Sequence, residues 1–135
     1  MFKRIHVFRI KPKEDLVKSI LKYCEEKKIK SGVILQIIGS LEKAKLGFLK
    51  KLPGQYIERE FKGPLEIACG QGTIALKDNE VILHIHIVIG NEKMAIGGHL
   101  APGSIVFSTA EVVIAETMSH IKRAKDKYTG LNELI

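Results

Sequence analysis

The chain has 135 residues, the size of one domain, and 45% of them are hydrophobic. It can therefore bury a core without the disulfides or structural metals that very small domains need. No apolar run approaches the ~18 residues of a membrane span, and the N-terminus has no apolar signal segment, so we expect a soluble cytoplasmic protein and no membrane partner. The formal net charge of +7, in a composition rich in Lys, Ile and Glu like that of thermophilic proteins, leaves polyanion binding open.

The positive charge is concentrated early in the chain. Residues 1–51 hold 14 lysine and arginine residues against 5 acidic ones, whereas residues 52–135 hold 8 against 10. A basic half attracts nucleic acid by releasing counterions, although a solvated lysine-rich surface gives the same composition. If DNA is bound, we expect nonspecific contacts from a set of basic residues in that half: Lys3, Arg4, Lys11, Lys13, Lys43 and Lys45.

The predicted elements are one helix embedded in strands. After a strand at 2–10, Pro12 and the acidic Glu14 and Asp15 favour a helix start. An i, i+4 apolar stripe then predicts an amphipathic helix of about 15 residues, formed by Leu16, Val17, Ile20, Leu21 and Cys24. Strand patterns follow at 33–40, 44–49, 55–61, 65–76, 81–89, 94–100 and 104–115.

Turn residues separate several of these strands, including Pro53-Gly54, Gly63-Pro64 and Asp78-Asn79. The order predicts an α+β fold with a mainly antiparallel, curved or barrel-like sheet and one main amphipathic helix. We expect residues 1–118 to form a single domain and residues 119–135 a basic C-terminal extension, either a short helix or irregular. Cys24 and Cys69 lack a CxxC spacing and are expected to be buried thiols.

Three histidines carry the clearest chemical signal. Because side chains alternate along a strand, His84 and His86 lie on the face opposite the isoleucines of residues 81–89. A tight even-numbered turn that pairs Ile89 with Met94 would place His84 opposite His99 and bring all three imidazoles to one face. An odd-numbered turn would send His99 to the other face.

Three converging imidazoles can bind a divalent metal such as Zn²⁺ and leave one coordination position open. They can also hold an anion, form a polar contact between subunits, or have no special role. Glu111 lies in an apolar strand pattern and is expected either to support a histidine from the second shell of the site or to make a structural hydrogen bond. His6 and His120 are expected to be structural or exposed.

Other catalytic motifs do not emerge from the sequence. Gly70-Gln71-Gly72 is too short for a dinucleotide loop, and there is no P-loop, GxSxG or HExxH sequence. No serine or threonine is accompanied by an activating base. The sequence therefore favours a binding module over an enzyme, and it names no reaction.

An ordered set of motifs resembles the PPC family, the plant and prokaryote conserved or DUF296 domain. The resemblance covers roughly residues 5–115 and rests on Gly39-Ser40-Leu41, Ala44–Phe48, Gly63–Ile67, Gly72-Thr73-Ile74, His84-Ile85-His86, Gly97–Leu100 and Thr109–Val112. It implies a compact α+β domain with an antiparallel sheet, assembled as a homotrimer. It further implies a prokaryotic member without a fused DNA-binding segment, and a metal on His84, His86 and His99.

In land plants, members of this family follow AT-hook motifs in nuclear DNA-associated regulators, where the domain contacts other proteins. The plant contact segment aligns with Gly63–Ala68, which makes Glu66 a candidate partner contact, although Pro64 replaces an arginine. The present chain has no AT-hook, so the minor-groove contact of the plant proteins is missing.

Three hypotheses follow. The first is a homotrimeric, DNA-associated or regulatory module that binds DNA weakly and in a salt-sensitive way. The second is a metal- or small-molecule-binding protein that uses the three histidines, including an enzyme of unknown reaction. The third is a structural oligomer whose partner is another protein, which an exposed apolar sheet surface would favour.

Overall fold

The computed structural model describes all 135 residues, 1–135. Eight strands and one helix follow one another along the chain: β1 (Phe2–Ile10), α1 (Leu16–Lys27), β2 (Gly32–Lys51), β3 (Gln55–Lys77), β4 (Glu80–Gly90), β5 (Ala95–Leu100), β6 (Ile105–Thr117), β7 (Arg123–Lys125) and β8 (Asn132–Leu134). The predicted α+β fold with one helix and a mainly antiparallel, barrel-like sheet is confirmed.

The main sheet closes partly on itself. Its strand order is β1-β6-β2-β3-β4-β5, all antiparallel, and β5 also pairs back to β2 through Leu46↔Leu100 and Gly47↔His99. Strands β2 to β5 therefore form the barrel-like part, while β1 and β6 extend the sheet beyond β2. One cluster of buried side chains, mostly Ile, Leu and Val, fills the interior.

Helix α1 packs against this core through the apolar stripe that the sequence predicted. Leu16, Val17, Ile20 and Cys24 are buried. The helix begins later than predicted, because Asp15 is its N-cap and accepts a hydrogen bond from Lys18 N at 3.0 Å. It is 12 residues long and falls short of the length and apolar character that crossing a membrane requires.

Two strands are longer than the sequence predicted. The segments expected at 33–40 and 44–49 form one strand, β2, and those at 55–61 and 65–76 form β3. Gly63-Pro64, predicted as a turn, lies inside β3. The β2–β3 register shifts between Leu41 and Lys43, where a Cβ on Gly63 would collide with the backbone oxygen of Leu41. The Gly-Pro pair thus serves a bulge rather than a chain reversal.

The C-terminal extension differs from the short helix or irregular segment that was predicted. Within residues 119–135, β7 and β8 form an antiparallel hairpin. Leu76 N donates to Ile121 O at 2.9 Å, and Arg123 Nη2 donates to Thr73 Oγ1 at 2.8 Å, so the hairpin is attached to β3. This attachment brings it to the face of the sheet that carries the histidines.

Candidate metal centre

Strands β4 and β5 bring the three histidines together. His84 and His86 project from β4 on the side opposite Ile85, Ile87 and Ile89, which are buried. In the β4–β5 ladder His99 lies opposite His86, not opposite His84 as predicted. The observed pairing is shifted by two residues from the predicted one, so every side chain stays on its predicted face of the sheet.

The imidazoles lie close to one another. Their ring centroids are separated by 5.0 Å (His84–His86), 5.2 Å (His84–His99) and 5.5 Å (His86–His99). One nitrogen from each ring lies within 4.8 Å of the other two. His84 and His99 are half-buried, and His86 is exposed. This cluster could bind a metal ion with the three-nitrogen donor set that zinc uses in sites with an open position.

The second nitrogen of His84 contacts an arginine. Arg123 Nη2 lies 3.3 Å from His84 Nδ1, while His84 Nε2 lies 3.1 Å from His86 Nε2. Because a guanidinium only donates, Nδ1 accepts and the metal-free ring carries its proton on Nε2. A metal ion bound at Nε2 would require that proton to sit on Nδ1 and the Arg123 contact to open.

Burial keeps two of the histidines neutral. It is the main cause that lowers the pKa of His84 to about 4, with further contributions from His99, Arg123 and His86, while Glu133 opposes the shift. Burial, followed by the proximity of His86, also lowers the pKa of His99 below its usual value, and Glu58 opposes that shift. Both rings are therefore in the uncharged form that metal coordination requires at neutral pH.

A buried polar atom without a partner supports the fit of a metal. His99 Nδ1 is buried and forms no hydrogen bond within the protein. Buried nitrogen atoms are normally paired, so an orphan next to two further imidazoles calls for an external partner. An ion coordinated by the three rings would meet that need with His99 binding through Nδ1, and an all-nitrogen donor set suits zinc.

Two cavities meet at the cluster. One, of about 360 Å³, lies between the histidines and the β7–β8 hairpin, and Arg123, Leu131, Asn132 and Glu133 form its far wall. The other, of about 560 Å³, lies over β4 and β5. Both are lined by His84 and His99. Tyr56 lines both as well, with its ring centroid 5.7 Å from that of His99.

The carboxylates near the histidines do not include Glu111, the residue that the sequence predicted. Glu111 is exposed on β6, opposite Arg9 of β1 and Ile38 of β2, and it forms no hydrogen bond with any of the three histidines. The structure does not bring it to the cluster, because Glu111 points to the outer face of a different part of the sheet. The carboxylates near the histidines belong to Glu58 and Glu133.

Sequence reasoning missed Arg123, Glu133 and Glu58 for a physical reason. Arg123 and Glu133 reach the site only because the C-terminal hairpin folds back on β3, a long-range contact that no local pattern encodes. The sequence indicates Glu58 only weakly, because this residue follows the turn at Pro53-Gly54 and lies on the same face of its strand as Tyr56. Only knowledge of the β2–β5 pairing would place it near His99.

The remaining predicted site residues are dispersed. Lys3 and Arg4 lie at the start of β1, whereas Lys11 and Lys13 follow its end, about 23 Å away for seven residues at ~3.3 Å each. Four of the six basic residues form ion pairs: Lys3–Glu116, Lys13–Glu42, Lys43–Glu60 and Lys45–Glu58. Glu66 is exposed on β3, opposite Ser40 of β2.

The two cysteines and the other histidines have distinct environments. Cys24 is buried, and burial raises the pKa of its thiol to about 11. Cys69 is exposed, so the expectation that both thiols are buried was wrong. His6 is buried between Tyr23 and Glu116, in a structural position, and His120 is exposed.

The chain is similar to part of two curated proteins. It is 28% identical over 133 residues to the Bifunctional protein GlmU of two Synechococcus strains. The match covers 97% of this chain but spans only 20% of the length of each relative.

Solved structures match over the whole chain. A metal-containing protein from Archaeoglobus fulgidus is 30% identical with a TM-score of 0.90, and the match covers 100% of this chain and 95% of that one. A "putative dna binding protein" from Bacteroides thetaiotaomicron is 28% identical with a TM-score of 0.90, over 100% and 96% of the two chains. A plant- and prokaryote-conserved (PPC) protein from Pyrococcus horikoshii is 30% identical with a TM-score of 0.86, over 98% and 93%.

The family model of the Plants and Prokaryotes Conserved (PCC) domain matches residues 1–118. This match contains all three clustered histidines and stops before the C-terminal hairpin. The chain therefore belongs to the plant and prokaryote conserved (PPC) domain family.

Proposed function

We propose that this chain is a metal-binding PPC domain that holds one divalent ion, best matched by zinc, on His84, His86 and His99. The observation that carries the proposal is the convergence of three imidazole nitrogens within 4.8 Å, one ring of which has an orphaned buried nitrogen. The similar Archaeoglobus protein is named as metal-containing, which supports it.

Each residue has a defined part in this proposal. The β4–β5 ladder fixes the spacing of the three rings, so the backbone need not move when they bind an ion, and the change falls on the His84 proton and its contact with Arg123. Burial keeps His84 and His99 uncharged and ready to donate a lone pair. Three protein ligands leave a fourth position for water or a ligand, and a zinc ion held in this way supplies Lewis acidity.

Metal content tests the proposal directly. Protein purified without chelators, then dialysed against zinc and freed of excess, should contain about one zinc per chain by elemental analysis, as three-histidine ligation predicts. His86→Ala and His99→Ala should each lose most of it, whereas His120→Ala removes an exposed histidine outside the cluster and should retain it. Equal zinc content in all three variants would refute the proposed ligands.

The same chain is proposed to be a homotrimer. The outer face of β1, β6 and β2 exposes large apolar side chains, with Val7 exposed to 70%, Ile5 to 52%, Phe107 to 50% and Ile38 to 42%. These residues share the face that points away from the core, since Val7 lies opposite Val113 and Ile38 opposite Glu111. An apolar face of this kind is typical of a subunit contact.

A second candidate function is weak DNA association. The similar Bacteroides protein is named for DNA binding, and this chain has a net charge of +7. Because four of the six candidate basic residues are in ion pairs, that set leaves only Arg4 and Lys11 unpaired in each chain, and a trimer would accumulate their charge. The expected behaviour is sequence-independent binding that disappears as salt rises from about 50 to about 200 mM.

A further inference from the structure

Arg123 is a buried cation without a counter-anion. The residue is 7% exposed, and no carboxylate lies within ion-pair distance of it. A guanidinium remains charged in proteins, and a buried charge without a partner is strongly unfavourable. Its placement beside the histidine cluster therefore requires an explanation beyond the packing of the hairpin.

The donors of Arg123 are only partly used. Nη1 donates to Asn132 O at 2.7 Å, and Nη2 donates to Thr73 Oγ1 at 2.8 Å and contacts His84 Nδ1 at 3.3 Å. Nε is buried and has no partner. These bonds account for three of the five N–H donors. When His84 serves as a metal ligand through Nε2, its Nδ1 no longer accepts, which leaves one more donor free.

The cavity that Arg123 lines has the size and polarity of a small-molecule site. Its volume is about 360 Å³, at the lower end of ligand pockets. Ile82, Leu83 and Leu131 contribute apolar wall, and His84 and His99 form one side. The opposite side comes from residues 123–133, which lie beyond the part of the chain that the family model matches.

The charges around this cavity favour an anion. A divalent ion on the histidines and the guanidinium of Arg123 would together be strongly positive. Glu58 is engaged with Lys45 at 3.3 Å, so Glu133 is the wall carboxylate without an ion pair. The sum of these charges stays positive even with Glu133 ionised, so an anion would be attracted.

We propose that the cavity between the histidine cluster and the β7–β8 hairpin binds a small monocarboxylate, whose carboxylate accepts hydrogen bonds from Arg123 while a second oxygen faces the open position of the metal. A carboxylate matches the planar fork of a guanidinium, which explains an arginine at this position. The inference rests on the proposed metal site and adds the class of ligand that the site takes.

Calorimetry with sodium lactate tests the proposal, because lactate carries a carboxylate and a neighbouring hydroxyl. Zinc-loaded protein should bind lactate at least about tenfold more tightly than lactamide, its uncharged analogue, since hydrogen bonds to a charged carboxylate are stronger than those to a neutral amide. Arg123→Gln should weaken lactate binding by a similar factor. Lys125→Gln, which removes an exposed charge from the same strand, should leave it unchanged.

The results separate this inference from the metal proposal. Zinc binding with no preference for lactate over lactamide in the wild-type protein would overturn the carboxylate site alone, even if Arg123→Gln failed to fold. Lactate binding by a protein that takes up no zinc would support the Arg123 site and overturn the metal. Tighter binding of inorganic phosphate than of lactate would overturn the choice of a monocarboxylate.

Discussion

At the scale of single residues, the chain contains a second buried polar cluster, and it is structural. Glu116 is 7% exposed and accepts hydrogen bonds from Lys3 Nζ at 2.9 Å and from His6 at 3.0 Å. Burial alone would raise the pKa of this carboxyl and is the largest single influence. The hydrogen bonds and charges of His6 and Lys3 outweigh it and hold the pKa below its usual value.

Glu116→Gln should lower the free energy of unfolding at pH 7 by about 1–3 kcal/mol, because it removes a buried hydrogen-bonded charge. The native pKa is depressed, so this stabilisation is complete above the unfolded-state pKa of about 4.3 and is lost as the pH falls through the native pKa. Urea unfolding at pH 7 and at pH 3 measures both effects, and the variant should lose less stability on acidification than the wild type.

Glu111→Gln is the matched control for that experiment. Glu111 lies on the same strand as Glu116 but is exposed. Its replacement should change the free energy of unfolding by no more than about 0.5 kcal/mol. An equal loss in both variants would show that the paired carboxylate is not the cause.

The predictability of individual residues depended on their local pattern. The alternation in residues 81–89 was sufficient to place His84 and His86 on the non-core face, because a strand of isoleucines leaves no other orientation. Arg123 could not be anticipated, since its role depends on a hairpin in a tail whose polar composition predicted no strand. Glu111 was wrongly associated with the histidines because a face pattern does not say which other strands lie near it.

At the scale of secondary-structure elements, the site depends on how β3, β4 and β5 are spaced. The pairing of β4 with β5 is displaced by two residues from the predicted one, because the loop comprises Asn91–Met94 and Ile89 pairs with Ile96 rather than with Met94. Asn91 Oδ1 accepts from Lys93 N at 2.8 Å and from Met94 N at 3.1 Å, which fixes that loop. A shift of two residues changes which residues are paired but leaves every side chain on the same face of the sheet. The three histidines therefore converge as predicted although the predicted pairing was wrong.

Gly72 allows strands β3 and β4 to lie close together, because it has no side chain. A Cβ at this position would collide with the backbone oxygen of His84, and it would lie 2.9 Å from Ile85 Cγ1. Gly72→Ala should therefore push β4 away from β3, destabilise the fold by about 1–3 kcal/mol and weaken zinc binding, as expected for overpacking against backbone. Thermal unfolding and a zinc titration measure the two effects.

Gly97→Ala provides the control for the change at Gly72. A Cβ on Gly97 would lie 3.5 Å from Val88 Cγ2, an ordinary contact on the neighbouring strand. This variant should retain both its stability and its zinc affinity. If Gly72→Ala behaved in the same way, the spacing of β3 and β4 would not be what positions His84.

At the scale of the whole molecule, strand β1 carries large apolar side chains on both faces. Ile10 is buried against the core, while Ile5 and Val7 on the opposite face are exposed by 52% and 70%. A strand that met only water on its outer face would carry polar residues there. The sequence showed abundant apolar residues but not which of them remain uncovered, because that depends on where helix α1 lies, and α1 covers the inner face only.

Association through this face should be sensitive to polarity. The double variant Val7→Gln, Phe107→Gln removes apolar surface without changing charge, and it should shift the protein from trimer to monomer in light scattering after size exclusion. Tyr128→Gln, at a residue 81% exposed on the C-terminal hairpin side, should leave the trimer intact. A wild-type protein that ran as a monomer would contradict the proposed assembly outright.

The same double variant separates the two proposed functions. Zinc is held by residues of a single β4–β5 ladder, so a monomeric variant should keep about one zinc per chain. DNA binding is proposed to rely on the combined charge of several chains, each of which offers only Arg4 and Lys11 of the candidate set without an ion pair, so avidity is lost on dissociation. Mobility shifts at low salt should therefore weaken by at least about tenfold in the variant, a loss within the range that multivalency provides. Unchanged DNA binding by the monomer would mean that one chain presents a sufficient basic surface by itself.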